Sequence, residues 1–116
     1  MKSGIMFEQM NILVVPFPFT DLSGLKQRPV LVLSSNEYNR KTKDIVTCGI
    51  TSNLKDAAYS VLITNDDLKE GRIPARSRIK VDKLFTLEQG IVRKKVAKVS
   101  ENVFEMVKDK LFKLFS

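Results

Sequence analysis

Short apolar runs, separated by polar segments that carry Gly or Pro, occupy most of this chain up to Ser100 and predict strands joined by turns. The first covers about Asn11 to Pro16. Pro16 and Pro18 then interrupt a regular strand and lead into a loop from Phe19 to Gln27. A second strand runs from Pro29 to Ser34, a polar connection from Asn36 to Lys43, and a third strand from Ile45 to Thr51, in which Gly49 suggests a bulge or a close backbone approach. In the fourth, Tyr59 to Thr64, Val61 and Ile63 share one face. Asn65 to Leu68 reads as a turn or one helical turn, and Gly71 to Arg76 as a basic loop. Ser77 to Asp82 alternates like a strand with one wet face, Lys83 to Glu88 reads as another short strand, and after a turn at Gln89-Gly90 a last basic strand spans Ile91 to Val99.

The period changes after Ser100. That residue can cap a helix, Glu101 and Glu105 suit its first turns, and Val103, Val107, Leu111 and Leu114 fall on one face. Phe104, Phe112 and Phe115 widen the apolar side and leave part of the helix, or the sheet beside it, available to a second subunit. The fold class is mainly β: a small, strongly bent antiparallel sheet or barrel with a docked helix. Residues 1–10 lack a period and read as a tail before a single domain, 11–116.

Composition narrows the partners more than the fold. With 43% apolar residues, 116 residues build one core and leave no room for a second domain. The formal charge of +7, with no His to modulate it, favours polyanions such as RNA, DNA, an acidic protein tail or an anionic surface. No apolar run approaches the roughly 20 residues that span a bilayer, and the first residues hold Lys2 but no apolar segment before Glu8 and Gln9, so the expectation is a cytoplasmic protein. Cys48 lies within an apolar run and reads as a small buried residue. A lone cysteine excludes an internal disulfide and a multi-cysteine metal site, and the absence of His excludes a Ser-His or Cys-His nucleophile pair. No metal or cofactor is expected.

The remaining chemistry sits at strand ends. Arg28 stands at the mouth of the second strand, just before Pro29, and Thr51, Ser52 and Asn53 close the third. If those strands are antiparallel neighbours, their ends converge, and an Arg fork beside a hydroxyl can hold a phosphate. Further basic side chains follow at Arg72, Arg76, Arg78 and Lys80.

The segment from Ile12 to Ser34, with Pro-Phe-Pro-Phe-Thr-Asp-Leu-Ser-Gly-Leu-Lys-Gln-Arg-Pro-Val-Leu-Val-Leu-Ser at its centre, resembles the first hairpin of the MazF/PemK family of toxin endoribonucleases. Ile50-Thr51-Ser52-Asn53, the strand from Ser77 to Asp82 with Leu84-Phe85-Thr86-Leu87 after it, and the terminal helix resemble the rest of that family in order. The resemblance implies an SH3-like barrel with a C-terminal helix, a homodimer, an acidic antitoxin partner, and metal-independent cleavage of single-stranded RNA. Arg28 and Thr51 match the family's catalytic Arg and its catalytic Thr or Ser. Lys26, Gln27, Ser52, Asn53, Arg76, Arg78, Lys80 and Phe19 are the RNA-binding candidates, with Phe17 and Tyr38 as further stacking surfaces. Asp21 is the nearest candidate for a base, against a turn-forming role before Leu22-Ser23-Gly24. Two departures stand out: Met10-Asn11-Ile12 replaces the usual Gly-Asp-Ile, and Leu25-Lys26-Gln27 replaces a longer loop with Glu-Gln before the Arg. The competing reading is a non-catalytic barrel of the same fold, a CcdB-like gyrase inhibitor or an RNA-binding relative. A basic peptide-binding module is the third.

Overall fold

The computed structural model describes residues 6–18 and 25–116. Seven strands, β1 (Asn11–Pro18), β2 (Leu25–Val32), β3 (Asp44–Thr51), β4 (Ser60–Ile63), β5 (Leu68–Gly71), β6 (Ser77–Glu88) and β7 (Lys94–Val99), form one antiparallel sheet. Two helices accompany it, α1 (Asn36–Lys41) and α2 (Glu101–Leu114). The strand order is β4-β6-β3-β2-β1-β7-β5, so the β1–β2 hairpin lies at the centre and the sheet curls around it into a half-barrel.

The central strands read as unbroken apolar runs because both of their faces are covered. Ile12 and Leu31 point into the main core, with Ile50, Ile63, Ile79 and Val99 from neighbouring strands and Val103, Phe104 and Val107 from α2. Leu13, Val15, Val30 and Val32 point the other way, into a smaller cluster with Ile45 that Phe7, Leu87 and Val92 cover. Helix α2 starts as its sequence predicts, with the Ser100 hydroxyl accepting from the Val103 N–H at 3.2 Å.

The central hairpin is longer than the sequence reading has it: β1 runs through Pro16 to Pro18 and β2 begins at Leu25, so Arg28 sits within a paired strand and not at its mouth, the pairing partner supplying the extended backbone that the prolines were expected to break. Three further elements differ. The polar stretch after β2 contains α1, capped by the Ser35 hydroxyl, which accepts from the Tyr38 N–H. Its Asn39 is buried, donating to the Phe7 carbonyl at 3.0 Å and accepting from the Ser34 hydroxyl at 2.6 Å. Part of the expected basic loop is preceded by β5, a polar edge strand without an apolar alternation. The two short strands expected across 77–88 are one strand, β6. Its register against β3 breaks between Cys48 and Gly49: Cys48 faces Leu84 and Gly49 faces Lys80, so residues 81–83 form the excess on β6. Gly49 thus marks the bulge that its presence suggested, although the extra residues belong to the partner strand.

Residues 7–10 are tied to the domain. The Phe7 and Gln9 backbone N–H groups donate to side-chain oxygens of Gln89 and Asn36 at 3.1 and 2.8 Å, and Glu8 pairs with Lys98 at 3.2 Å. Met10, where the resembling family carries Gly, has a φ of 78°. This left-handed turn is held by bonds from the Met10 N–H to Val32 O and from the Val99 N–H to Met10 O, both 3.0 Å. The backbone frame around Met10 therefore bears a strain of roughly 1–2 kcal/mol that a glycine would avoid. Next to it, the buried Asn11 carboxamide accepts from the Glu8 N–H at 2.9 Å, while its nitrogen has no partner among the described residues.

Candidate functional site

Arg28 is placed by the central hairpin, opposite Val15 of β1. On its other side β2 pairs with β3, Val30 facing Gly49. Two residues further along each strand, past the end of that ladder, Arg28 and Thr51 occupy corresponding positions. The convergence expected from the sequence is therefore present, because β2 and β3 are antiparallel neighbours.

The pair forms a ridge between two cavities. Arg28, Pro29, Ile50 and Thr51 line both. The first, about 510 Å³, has Gly49 and Phe85 at its apolar part and Lys55, Lys80 and Lys83 among its polar walls. Lys80 and Lys83 would face opposite sides of a regular strand; the bulge across 81–83 brings both to one cavity. The second cavity, about 710 Å³, has apolar walls from Ile12, Val14 and Val96 and cations from Arg72, Arg93 and Lys94. Among the described residues no carboxylate lines it. The Arg72 segment is held by Asn65, whose side chain accepts from the Ile73 N–H at 2.8 Å and donates to the Ile73 carbonyl at 3.1 Å, in the manner of a neighbouring strand.

Thr51 carries a second feature. Its hydroxyl oxygen accepts from the Asn53 backbone N–H at 3.1 Å, leaving the hydroxyl proton directed away from that turn and able to be donated. The Asn53 side chain in turn accepts from the Lys55 N–H at 3.0 Å, so consecutive side-chain turns set the start of the 52–59 segment.

Of the other residues singled out by sequence, Gln27 and Ser52 line the second cavity, and Asn53 and Lys80 the first. Lys26 and Arg76 are exposed and line neither. Arg78, opposite Thr51 on β6, is only 14% exposed and acts as a strut, bonded to Leu54, Ser60 and Asp56. Tyr38 lies in a separate groove with Leu111 and Phe115. Phe19 and Asp21 fall outside the described residues. Phe85, Lys83 and Asp56 were missed; the one pertinent signal was Gly49, which marks where the sheet opens, but which side chains face that opening depends on the bulge.

Cys48 is buried, as expected, and does not belong to the cavities. Its thiol is pushed up from 9.0 to about 12, first by burial and then by the Asp82 carboxylate. Since the folded value exceeds the unfolded one, the neutral thiol's contribution to stability is complete below pH 9 and is lost as pH rises toward 12. Iodoacetamide at pH 8 is expected to leave the native protein unmodified and to label it on unfolding, as intact-mass measurement would show. Labelling of the folded protein at the unfolded rate would contradict this burial.

A curled antiparallel sheet of seven strands with a C-terminal helix places the chain among the small, mainly β half-barrel proteins. The family described as PemK-like, MazF-like toxin of type II toxin-antitoxin system matches residues 8–115, and the chain belongs to that family. Solved structures agree in fold. A MazE-MazF complex from Deinococcus radiodurans has a TM-score of 0.78 at 23% identity, covering 96% of this chain and 97% of that one. MazF from the same organism gives 0.76 at 22%, covering 97% and 98%. An endoribonuclease in complex with its cognate antitoxin from a mycobacterial species gives 0.75 at 18%, covering 93% of each. Among curated proteins, none matches the sequence. No helix among the described residues is long and apolar enough to cross a membrane.

Proposed function

We propose that this toxin-family protein is a metal-independent endoribonuclease that cuts single-stranded RNA at a short sequence and so inhibits translation and growth. The observation that carries this reading is the ridge formed by Arg28 and Thr51 between two cation-lined cavities. A phosphodiester on the ridge has a chamber on either side for the nucleotides it joins.

In the proposed step the ribose 2′-oxygen attacks the adjacent phosphorus, its proton passes to a base, and the 5′-oxygen leaves and takes up a proton. A cyclic phosphate and a free 5′-hydroxyl result. The Arg28 guanidinium is planar, permanently charged and bidentate, which suits the charge gathering on the phosphoryl oxygens. Thr51, its oxygen held by the Asn53 N–H, donates a further hydrogen bond to them. Permanently charged, Arg28 therefore serves as an electrostatic stabiliser in preference to a proton donor. Asp21 is the candidate base that the sequence offers, against its turn-forming role, and it lies outside the described residues.

A second copy of the chain and an acidic antitoxin complete the proposed system, which acts in the cytoplasm. The cations of the second cavity suit an acidic, partly disordered antitoxin segment that competes with RNA. Incubation with a long RNA in excess EDTA tests the enzymatic reading: cuts with 5′-hydroxyl ends should recur at one short sequence. Intact RNA, or cutting that EDTA abolishes, would refute it.

A further inference from the structure

The first cavity contains a feature that phosphate binding does not explain. Asp56 lines it beside Arg28, Lys55, Lys80 and Lys83, and it is the one carboxylate among the described residues of that lining. An acid on the wall of a phosphate site repels its ligand. Asp56 is also held in place. Arg78 Nη1 lies 3.3 Å from its Oδ1, and the same guanidinium donates from Nε to the Leu54 carbonyl at 3.0 Å and from Nη1 to the Ser60 hydroxyl at 3.2 Å. One side chain thus fastens Leu54 and Asp56 of the irregular 52–59 segment and Ser60, the first residue of β4 after it. The exposures differ sharply: Arg78 is 14% exposed and Asp56 88%, so the clamp is sheltered while the carboxylate stays open to a ligand.

We infer that this cavity reads a base, and that Asp56, oriented by Arg78, selects guanine at the nucleotide next to the cleaved phosphate. The inference rests on the nuclease reading and adds to it a base preference and the residue that sets it. The apolar part of the cavity provides a stacking face, Phe85, 37% exposed, beside Gly49, whose missing side chain leaves the approach open. A base stacked there turns an edge toward the wall. A carboxylate only accepts hydrogen bonds. Guanine offers N1–H and N2–H side by side, with no ring acceptor between them. Adenine and cytosine set one amino group beside a ring-nitrogen lone pair, and uracil sets N3–H between two carbonyls; those lone pairs oppose the carboxylate. The flanking lysines remain for the backbone phosphates, which position the strand without reading it.

Asp56→Asn replaces one acceptor by a donor at nearly constant shape and at an exposed position. Mapping of cut ends on a long RNA should show guanine at one fixed place beside the cut for the native protein. In the variant that preference should fall by about tenfold or more, as expected for loss of a good base contact. Inosine in place of that guanosine, which removes the N2 amino group, should lower kcat/KM for the native protein and leave the variant nearly indifferent. Arg78→Lys keeps the charge but loses the fork, and should relax the same position and no other, a pattern that general destabilisation would not produce. Cutting by the native protein without guanine enrichment, or an unaltered preference in Asp56→Asn, would overturn the base assignment alone. If the native protein cuts no RNA, the nuclease reading fails and this inference fails with it.

Discussion

Arg28→Ala is expected to slow RNA cleavage by about 10²–10³-fold, the usual loss when one preorganised donor to a developing oxyanion is removed. The side chain is exposed in the middle of β2 and belongs to neither apolar cluster, so the thermal transition should stay close to that of the native protein. Binding should suffer less than turnover. Lys80, Lys83, Arg72, Arg93 and Lys94 remain in the cavities and still hold the phosphate backbone of a short single-stranded RNA, as an anisotropy titration would report. Arg28→Lys separates charge from geometry. It retains a cation but not the planar fork, and should recover only part of the lost rate. Undiminished cleavage by Arg28→Ala would remove the basis of the proposed mechanism.

Gly71→Ala is expected to cause the largest loss of stability among single methyl additions at the glycines of the described chain. Gly71 has a φ of 75°, and a Cβ there would stand 2.2 Å from Val96 O and 2.7 Å from Ala97 Cα. Both are backbone atoms of β7, with which β5 pairs at Gly71–Ala97, so relief requires the two strands to separate. The left-handed conformation costs roughly 1–2 kcal/mol for a residue with a Cβ. Overpacking against an immobile neighbour adds about 1–3 kcal/mol. A fall in melting temperature of roughly 10 °C or more should follow. Gly90→Ala is the matched control, because a Cβ at Gly90 meets nothing within 4 Å. Equal melting temperatures for the two variants would show that β5 is not held as described. The consequence also reaches the site, since Arg72 and Ile73 directly after Gly71 line the second cavity.

Helix α2 and strands β1, β3 and β4 were legible because apolar residues there run or repeat with a clear period, and a cap marks where α2 begins; the prolines of β1 misplaced its end, since they are accommodated within the paired strand. Strand β5 was not, for Leu68-Lys69-Glu70-Gly71 has no alternation and becomes a strand only by pairing with β7. Helix α1 was missed for a related reason. Its six residues are too few to show an apolar period, and its anchor is a buried asparagine bonded to Phe7 and Ser34, a contact across the fold. The reading of 1–10 as a tail failed likewise at residues 7–10, whose partners Gln89, Asn36 and Lys98 are distant in sequence.

By itself the sequence determined the fold class and the family likeness, and it offered the convergence of Arg28 with Thr51 on the condition that their strands are antiparallel neighbours. The first two follow from local information, residue type and period; the condition is met only by the sheet order, which sets β2 beside β3. Only the tertiary structure decided what surrounds that pair. A three-residue excess on β6 turns Lys80 and Lys83 into one cavity, and the same strand converts Arg78 from an expected RNA contact into the clamp on Asp56. The physical reason is that side-chain direction in a sheet reverses with each residue of register, and register across a bulge is settled by packing between strands distant in sequence.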